Sequence, residues 1–389
     1  MTQEADTTEV LTPDVLLRRA SEIVPALRER AGYTEELRRI PDETVQDLLE
    51  SGLYRIAVPQ MFGGLDVDYA LMLEIGALLA VGCPSTSWCY CIWSAHGWLV
   101  GFWPLEAQQE VFGKNRDTLI STSLNPGKST LEKTSGGYQF SGRWEFSSGC
   151  DAAEWVIVGG DTPEGPVWVL VPRSDYEIAD TWFVSGLSGT GSKDILIADA
   201  FVPEYRAIER DRGGDEEKNG WDIHQSDRYR MPLQALLGWD LAAPMIGIAQ
   251  GAIEEFTNRL TGTSGLGRTA ENDSVQVRLS QASAEVDAAR ALMRGDILEM
   301  FLKAGEGEVF STLERARYRR DKAFVAQQCM NAVNRLFEMS GGHAIFESGR
   351  MQRFHRDIQA AVHRDGFIME LGGLQYGRAA FGLEPNGRI

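Results

Sequence analysis

Cysteine is scarce in this chain, and negative charge outweighs positive charge. The five cysteines form no CxxC pair, so the sequence predicts neither a disulfide framework nor a zinc ribbon, which favours a cytoplasmic location. Lys and Arg number 38 against 56 Asp and Glu, a formal net charge of −18. Such a charge argues against nucleic acid or an anionic membrane surface as a partner.

Long apolar runs are also missing. The longest, around residues 233–248, is interrupted by Gly238 and Pro244, so no run reaches the ~18 residues that span a bilayer. The first ten residues are acidic and contain no apolar core segment, so no signal peptide is predicted. What is present is a chain of 389 residues, 43% of them hydrophobic, which excludes disorder and suffices for two or three domains.

The hydrophobic periodicity changes twice along the chain. Residues 1–116 carry apolar side chains at helical spacing and predict an N-terminal helical domain. Residues 117–208 alternate with period two and predict a central antiparallel β-barrel or sandwich. Residues 209–231 predict an exposed acidic linker, and residues 232–389 predict a C-terminal four-helix bundle. The predicted fold class is therefore α+β and multidomain.

Individual helices have sequence signals of their own. Thr12 before Pro13 predicts a helix start, and so does Pro41 before two acidic residues. The apolar residues around Ser87–Phe102 are spread over all sides, which indicates an interior helix. The four predicted bundle helices are Leu233–Leu260, Val275–Ala304, Leu313–Met339 and Phe354–Tyr376.

Two segments of the β region combine aromatic, hydroxyl and glycine residues. In residues 142–149 (GRWEFSSG), Trp144 and Phe146 would form a flat wall, followed by hydroxyls and free backbone amides. A planar heterocycle such as an isoalloxazine needs that combination, whereas the alternative is that both rings fill the sandwich core. In residues 186–194 (GLSGTGSKD), glycines between hydroxyls let a ligand approach the backbone closely, although a plain loop has the same composition.

Two histidines are candidates for proton transfer near neutral pH. His96 lies in an apolar segment between Trp93 and Trp98, where a satisfied core histidine is the alternative. His363 lies in a polar cluster on the last predicted helix, where a solvated face is the alternative. His355 and His363 would be ~12 Å apart along that helix, too far to share a metal ion, so no metal site is predicted.

The pieces that carry a resemblance are Val58-Pro59, Phe62-Gly63-Gly64, the β region, residues 285–290 (EVDAAR), Ser340-Gly341-Gly342 and Arg356-Asp357. Taken in this order, they resemble the acyl-CoA dehydrogenase superfamily over essentially the whole chain. A typical dehydrogenase of that superfamily carries a catalytic glutamate just beyond an Arg-Asp pair, but here residues 361–366 read AVHRDG.

Three features are more similar to one branch of that superfamily, the oxygenase components of two-component flavin monooxygenases. They are residues 144–151 (WEFSSGCD), residues 186–194 and His363. Examples of the branch are the para-hydroxyphenylacetate and seco-steroid phenol hydroxylases. The resemblance implies that a separate NAD(P)H:flavin reductase supplies reduced flavin, FMN or FAD. The oxygenase would then add O₂ at flavin C4a and, through a C4a-hydroperoxide, hydroxylate a small aromatic substrate. A homotetramer is also implied.

The resemblance assigns roles to individual residues. Ser148 would hydrogen-bond the flavin near N5, His96 would polarise a phenol hydroxyl, and His363 would aid formation or protonation of the peroxide. Trp93 and Trp98 lie beside His96 in the same apolar segment, and for that reason they are expected to line the substrate pocket with it. The other flavin-binding residues would be Ser121, Ser123, Trp144, Phe146, Ser147, Thr190 and Ser192, with Arg268, Gly341 and Gly342 completing the site of a neighbouring subunit.

Other functions are compatible with the same sequence. The scaffold could oxygenate nitrogen or sulfur, as in amino sugars or thiophenes. A true acyl-CoA dehydrogenase could carry its catalytic base on another helix. A non-catalytic scaffold would use the bundle only for assembly and would bind no reduced flavin.

Overall fold

The N-terminal part of the protein is helical. The computed structural model describes residues 10–65, 67–210, 219–261 and 267–386. Thr12 caps the first helix by accepting a hydrogen bond from the Val15 amide, as the Thr-Pro pair predicted. The helices are α1 (Pro13–Leu37), α2 (Asp42–Glu50), α3 (Tyr69–Gly82), α4 (Pro84–Val100) and α5 (Leu105–Phe112).

Helix α4 is buried along its whole length, as its apolar composition predicted. It packs against α3 and α8 (Trp239–Thr261) on the helical side and against the β region on the other side. A helix between two layers has no face left for water, so it needs apolar residues all round. This position lets α4 carry side chains to the β region from within the core.

The central region is a sandwich of two four-stranded sheets. The sheet orders are β1-β4-β5-β8 and β2-β3-β7-β6. The strands are β1 (Ile120–Ser123), β2 (Lys128–Thr134), β3 (Gly137–Ser147), β4 (Trp155–Thr162), β5 (Gly165–Pro172), β6 (Glu177–Ala179), β7 (Lys193–Pro203) and β8 (Ala207–Glu209).

The prediction of a wholly antiparallel sheet is wrong at one edge, because β1 pairs with β4 in parallel. Between these two strands the chain forms β2 and β3 in the other sheet, so the connection is a crossover rather than a hairpin. The sandwich alternative is confirmed and the barrel alternative is not. Strand β2 has an almost entirely polar sequence, KSTLEKT, and is mostly exposed, which is why hydrophobic alternation did not reveal it.

The C-terminal region is helical, as predicted, and its three longest helices correspond to three of the four predicted segments. The helices are α6 (Asn219–His224), α7 (Leu233–Leu236), α8, α9 (Gly267–Ala270), α10 (Asp273–Glu306), α11 (Thr312–Met339), α12 (Arg350–Val362) and α13 (Met369–Ala380). The fourth predicted segment, Phe354–Tyr376, is wrong as a single helix. It is split between α12 and α13, because His363 leaves helical geometry at ψ 25° and Gly366 lies in the connecting turn.

The predicted exposed linker at residues 209–231 is only partly described. Residues 211–218 lie outside the described part of the chain, and residues from 219 onward begin with α6. Arg228 and Tyr229 are buried, so the prediction of exposure is wrong there. Arg228 donates to the carbonyls of Ile56 and Ala57, which ties this segment to the N-terminal helices.

One described segment, Leu233–Thr261, is long and apolar enough to cross a membrane by length and composition. Of its most apolar stretch, 78% is buried inside the protein, and the core helix of a globular protein can have the same length and composition. All five cysteines are free and buried.

Candidate active site

Three side chains on one face of α4 hydrogen-bond to the β region. At 100° per residue, His96 lies about 80° and Trp93 about 140° around the helix from Trp88, so the three side chains share the half of α4 that faces the β region. The pairs are Trp88 Nε1 donating to Ser148 Oγ at 3.2 Å, Trp93 Nε1 donating to the Gly149 carbonyl at 3.2 Å, and His96 Nε2 with Thr122 Oγ1 at 3.3 Å.

Trp98 points away from this face of α4. It follows His96 by two residues, about 200° around the helix. Its ring packs against Tyr69, Phe102 and Tyr229, with centroids 5.1–6.1 Å apart. The structure therefore does not bring Trp98 beside His96, and the prediction that both line one pocket is wrong. Trp93 is on the right face, but its indole N–H is used by the chain itself.

Strand β3 contains a bulge at Phe146. The backbone there adopts a φ of +65°, and the pairing with β7 shifts between Trp144 and Ser147. Such a bulge re-aims the side chains that follow it. Trp144 and Phe146 consequently do not share a face, although they are two residues apart.

The two aromatic side chains end in different environments. Trp144 is fully buried in the sandwich core against Phe140, with ring centroids 4.8 Å apart, and its Nε1 donates to the Gly159 carbonyl. Its predicted role in a flavin wall is wrong, and the core alternative, which was stated for both rings, is confirmed for Trp144 alone. Phe146 is 62% exposed and meets Trp182 edge-on at 6.0 Å, so it remains available to a planar ligand.

The hydroxyls at the end of β3 and in the loop before β7 form one chain of hydrogen bonds. Ser148 Oγ lies 2.7 Å from Ser192 Oγ, which lies 2.7 Å from Thr190 Oγ1. Thr190 Oγ1 in turn donates to the Leu187 carbonyl at 2.8 Å. All three hydroxyl residues are buried. The sequence predicted that these two segments meet at one site, and the structure brings them together.

The backbone amides after β3 are not free, contrary to the prediction. The amides of Ser148 and Gly149 donate to the carbonyls of Phe146 and Thr190 at 3.1 and 2.8 Å. Ser147 differs from its neighbour, because its hydroxyl is fully buried and has no hydrogen-bond partner in the described part of the chain. A buried polar group without a partner is costly, so Ser147 marks a place where a ligand group would be stabilising.

Strand β1 presents its side chains alternately to two sides. Ser121 and Ser123 share the side of the strand that faces β3, where Ser123 Oγ donates to the Glu145 carbonyl at 2.7 Å. The Ser121 hydroxyl is fully buried and, among the described residues, has no hydrogen-bond partner. Thr122 points to the helical side and contacts His96. Sequence reasoning missed Thr122, which the alternation between Ser121 and Ser123 could have identified.

An Arg-Asp pair on α12 holds the loop that contains Thr190. The Leu187 amide donates to Asp357 Oδ1 at 2.6 Å, and Arg356 Nη1 donates to the Ser185 carbonyl at 2.5 Å. Leu187 has a φ of +52°, a conformation that a leucine adopts only where its surroundings hold it. The pair that carried part of the sequence resemblance therefore fixes the loop of the candidate site.

Burial raises the pKa of the Asp357 carboxyl to about 7, although the Leu187 amide, Arg356 and Arg353 act in the opposite direction. The folded protein therefore keeps a proton on Asp357 between pH ~4 and ~7 that the unfolded chain releases. The stabilisation from this group is present at low pH and is lost as the pH rises through that window.

We expect Asp357→Asn, which keeps an oxygen for the Leu187 amide, to remove this pH dependence. The difference in unfolding free energy between variant and parent should shift in favour of the variant by on the order of 1 kcal/mol per pH unit from pH 5 to 7. Urea unfolding at several pH values measures it. A constant difference across that range would contradict a protonated Asp357.

Burial, with a smaller contribution from Arg364, lowers the pKa of His96 to about 3. The imidazole is therefore neutral at physiological pH and has both a donor and an acceptor nitrogen. Because it lies on the same face of α4 as Trp88, it is placed to meet a ligand that also reaches Ser148.

His363 lies at the exposed end of α12. Its Nδ1 hydrogen-bonds to the Gln359 carbonyl. Since a carbonyl only accepts, Nδ1 carries a hydrogen. The structure places His363 less than two turns beyond Asp357, and a role in proton transfer stays a prediction.

Three predicted flavin-binding residues lie apart from this cluster within one chain. Gly341 and Gly342 are exposed, and a methyl group at either would meet nothing within 4 Å. The backbone of Arg268 lies in α9, and its side chain is outside the described part of the chain. Their predicted role in a neighbouring subunit stays a prediction.

Helical, sandwich and helical regions in this order define the acyl-CoA dehydrogenase fold, and comparisons with known proteins agree. Residues 240–365 match the family model "Acyl-CoA dehydrogenase, C-terminal domain". The chain is 35% identical over 372 residues to the flavin-dependent monooxygenase oxygenase subunit HsaA of Mycobacterium tuberculosis, covering 93% of this chain and 94% of that protein. The crystal structure of HsaA superposes with a TM-score of 0.92, covering 97% of this chain and 99% of that one.

Two further proteins extend the comparison. The FADH₂-dependent resorcinol hydroxylase oxygenase component of a Rhizobium species is 33% identical in an alignment 392 positions long, which covers 96% of this chain and 95% of that protein. XiaF from a Streptomyces species, solved with FADH₂ and glycerol, is 25% identical with a TM-score of 0.90 and covers 97% of both chains. The chain belongs to the family of oxygenase subunits of flavin-dependent monooxygenases, and reduced flavin is its cofactor.

The residues at the candidate site fit such a cofactor. Phe146 offers exposed aromatic surface beside the half-buried Trp182, and the buried Ser147 hydroxyl lacks a partner among the described residues. Ser148 adds an oxygen that already accepts one hydrogen bond, from Trp88. An isoalloxazine has a flat apolar face and a polar edge, and this combination matches both.

Proposed function

We propose that this oxygenase uses reduced flavin and O₂ to hydroxylate a phenolic substrate held between α4 and the β-sandwich. The main observation in its favour is that α4 contacts both sides of the site: Trp88 donates a hydrogen bond to Ser148, and His96 hydrogen-bonds to Thr122. One helix thereby fixes the distance between a flavin-binding and a substrate-binding group.

Reduced flavin supplies the two electrons that activate O₂: one oxygen atom enters an aromatic C–H bond, and the other leaves as water. Ser148 Oγ would accept the hydrogen on flavin N5, and Phe146 would lie against the ring. The hydroxyls of Ser147 and Ser121, which have no partner among the described residues, would reach polar atoms of the bound ligands. The aromatic residues of α4 would keep water out.

On the substrate side, His96 would orient the phenol. A neutral imidazole accepts a hydrogen bond from a phenol O–H, which draws electron density into the ring and favours attack by an electrophilic oxygen. Thr122 would hold the imidazole ring in place. Because burial keeps the pKa of His96 low, the ring takes up a proton only while an anion forms beside it.

The names of the relatives support carbon hydroxylation rather than nitrogen or sulfur oxygenation. The resorcinol hydroxylase is named for a phenol. A second phenol, p-hydroxyphenylacetate, gives its name to the related 3-hydroxylase oxygenase component of Acinetobacter baumannii. Names such as oxygenase subunit also support a separate NAD(P)H:flavin reductase as partner. Free, buried cysteines support the cytoplasmic location.

A homotetramer is part of the proposal and is supported by exposed apolar residues on the loop that follows Gly342. Ile345 is 70% exposed and Phe346 is 58% exposed. Clustered large apolar side chains on a surface are typical of subunit interfaces.

We expect the parent to sediment as a tetramer and Phe346→Asp to shift it towards smaller species, because a buried charge without a partner destabilises an interface. Analytical ultracentrifugation measures both. Leu105→Asp, an exposed apolar position on α5, is the matched control. A monomeric parent would contradict the proposal.

Product analysis with ¹⁸O₂ tests the proposed function. The protein, FMN or FAD reduced under anaerobic conditions, and a panel of phenols, indoles, thiophenes and amino sugars are mixed with ¹⁸O₂. The proposal predicts a hydroxylated phenol with one ¹⁸O atom. Label only on nitrogen or sulfur, or no label in any product, would refute it.

A further inference from the structure

The hydroxyl chain at the candidate site has a fixed direction. Thr190 has one hydroxyl hydrogen, and it donates that hydrogen to the Leu187 carbonyl. Towards Ser192, Thr190 can therefore only accept, so Ser192 donates to Thr190. Ser192 has then used its own hydrogen, so at its 2.7 Å contact with Ser148 the donor is Ser148.

Towards a bound ligand, this arrangement leaves Ser148 only as a hydrogen-bond acceptor. It gives its only hydrogen to Ser192, and it receives a hydrogen bond from Trp88 Nε1 at 3.2 Å. A hydroxyl oxygen has two lone pairs, so one acceptor position remains. A ligand group that reaches Ser148 must bring a hydrogen of its own.

Leu187, at the end of the hydroxyl chain, is itself hydrogen-bonded to the C-terminal helical region. Leu187 provides the carbonyl that Thr190 bonds, and its amide donates to Asp357 Oδ1 on α12 at 2.6 Å. The direction of the hydroxyl chain at the β-sandwich is thus set by a peptide that α12 fixes. Cys89 Sγ also donates to the Thr190 carbonyl at 3.4 Å, which holds the same residue from α4.

We propose that Thr190, acting through Ser192 on Ser148, makes this site select reduced over oxidised flavin. The inference rests on the proposed contact between Ser148 and flavin N5. Reduced flavin carries a hydrogen at N5 and satisfies the acceptor, whereas oxidised flavin presents a lone pair there, which faces the lone pair of Ser148. Thr190 is a positioning residue, because it acts on the flavin only through the other two hydroxyls.

The test measures flavin binding rather than turnover. The parent, Thr190→Val and Thr190→Ser are titrated under anaerobic conditions with FMN and FAD in oxidised and dithionite-reduced forms, and the ratio of the two dissociation constants is compared. Valine has the shape of threonine without the hydroxyl, so Ser192 is freed to donate to Ser148 and Ser148 can donate outward. We expect the ratio to fall about tenfold in Thr190→Val and to be preserved in Thr190→Ser.

Ser188→Ala is the matched control. The Ser188 hydroxyl lies in the same loop, but it donates to the Val184 carbonyl and takes no part in the hydrogen bonds between Thr190, Ser192 and Ser148. This variant should leave the ratio unchanged. An unchanged ratio in Thr190→Val, or a parent that binds both forms equally, would overturn the role of Thr190 and leave the proposed function standing. A parent that binds neither form of either flavin would refute the proposed function itself.

Discussion

Replacing Ser148 with alanine is expected to divert O₂ consumption from product to H₂O₂. The Ser148 oxygen is the acceptor that the buried hydroxyl chain orients, and alanine leaves flavin N5–H without a partner. We expect flavin binding to weaken only about three- to tenfold, the contribution of one hydrogen bond. The ratio of product to H₂O₂ should fall on the order of a hundredfold, as when a preorganised polar group is removed from other active sites.

Simultaneous assay of hydroxylated product and H₂O₂ measures this effect. Ser188→Ala, in the neighbouring loop, should couple O₂ to product like the parent. If Ser148→Ala also couples O₂ to product as well as the parent, the role given to Ser148 is wrong.

Replacing His96 with alanine is expected to lower hydroxylation about 10²- to 10⁴-fold while flavin binding stays unchanged. His96 contacts Thr122 on the substrate side, and its substitution leaves the Trp88–Ser148 contact in place. Because the pKa of His96 is lowered to about 3, its titration should not produce an acid limb in kcat/KM above pH 5.

Single-turnover product formation and anaerobic flavin titration separate the two effects. His96→Gln fills more of the buried volume and distinguishes lost chemistry from a lost core contact. His355→Ala is a control, since that ring stacks on Phe337 in the bundle with centroids 4.0 Å apart. Unchanged product formation in both His96 variants would remove this residue from the site.

Periodicity predicted the three regions and the interior position of α4, because these follow from which faces are apolar. Local backbone geometry was not predictable in this way. A single positive φ at Phe146 separates it from Trp144, and no residue type in GRWEFSSG signals that change. The split between α12 and α13 was missed for a similar reason, since one glycine in a helical pattern is a weak signal.

Composition identified segments of the candidate site, but it did not identify the contacts that the fold makes between these segments and α4. Ser148, Thr190 and Ser192 lie in two segments that composition singled out. Trp88 was missed as a partner of Ser148, because an indole in an apolar helix gives no sign of where its N–H points. Trp98 was assigned to the pocket by proximity to His96, although the helical repeat turns it to the other side.

The sharpest test of this site is a crystal structure of the anaerobic complex with reduced flavin and a phenolic substrate. The expected result is that flavin N5 lies within hydrogen-bond distance of Ser148 Oγ, with the ring against Phe146 and the substrate hydroxyl on His96. A flavin bound elsewhere, or one whose N5 faces away from Ser148 while the substrate avoids His96, would contradict it.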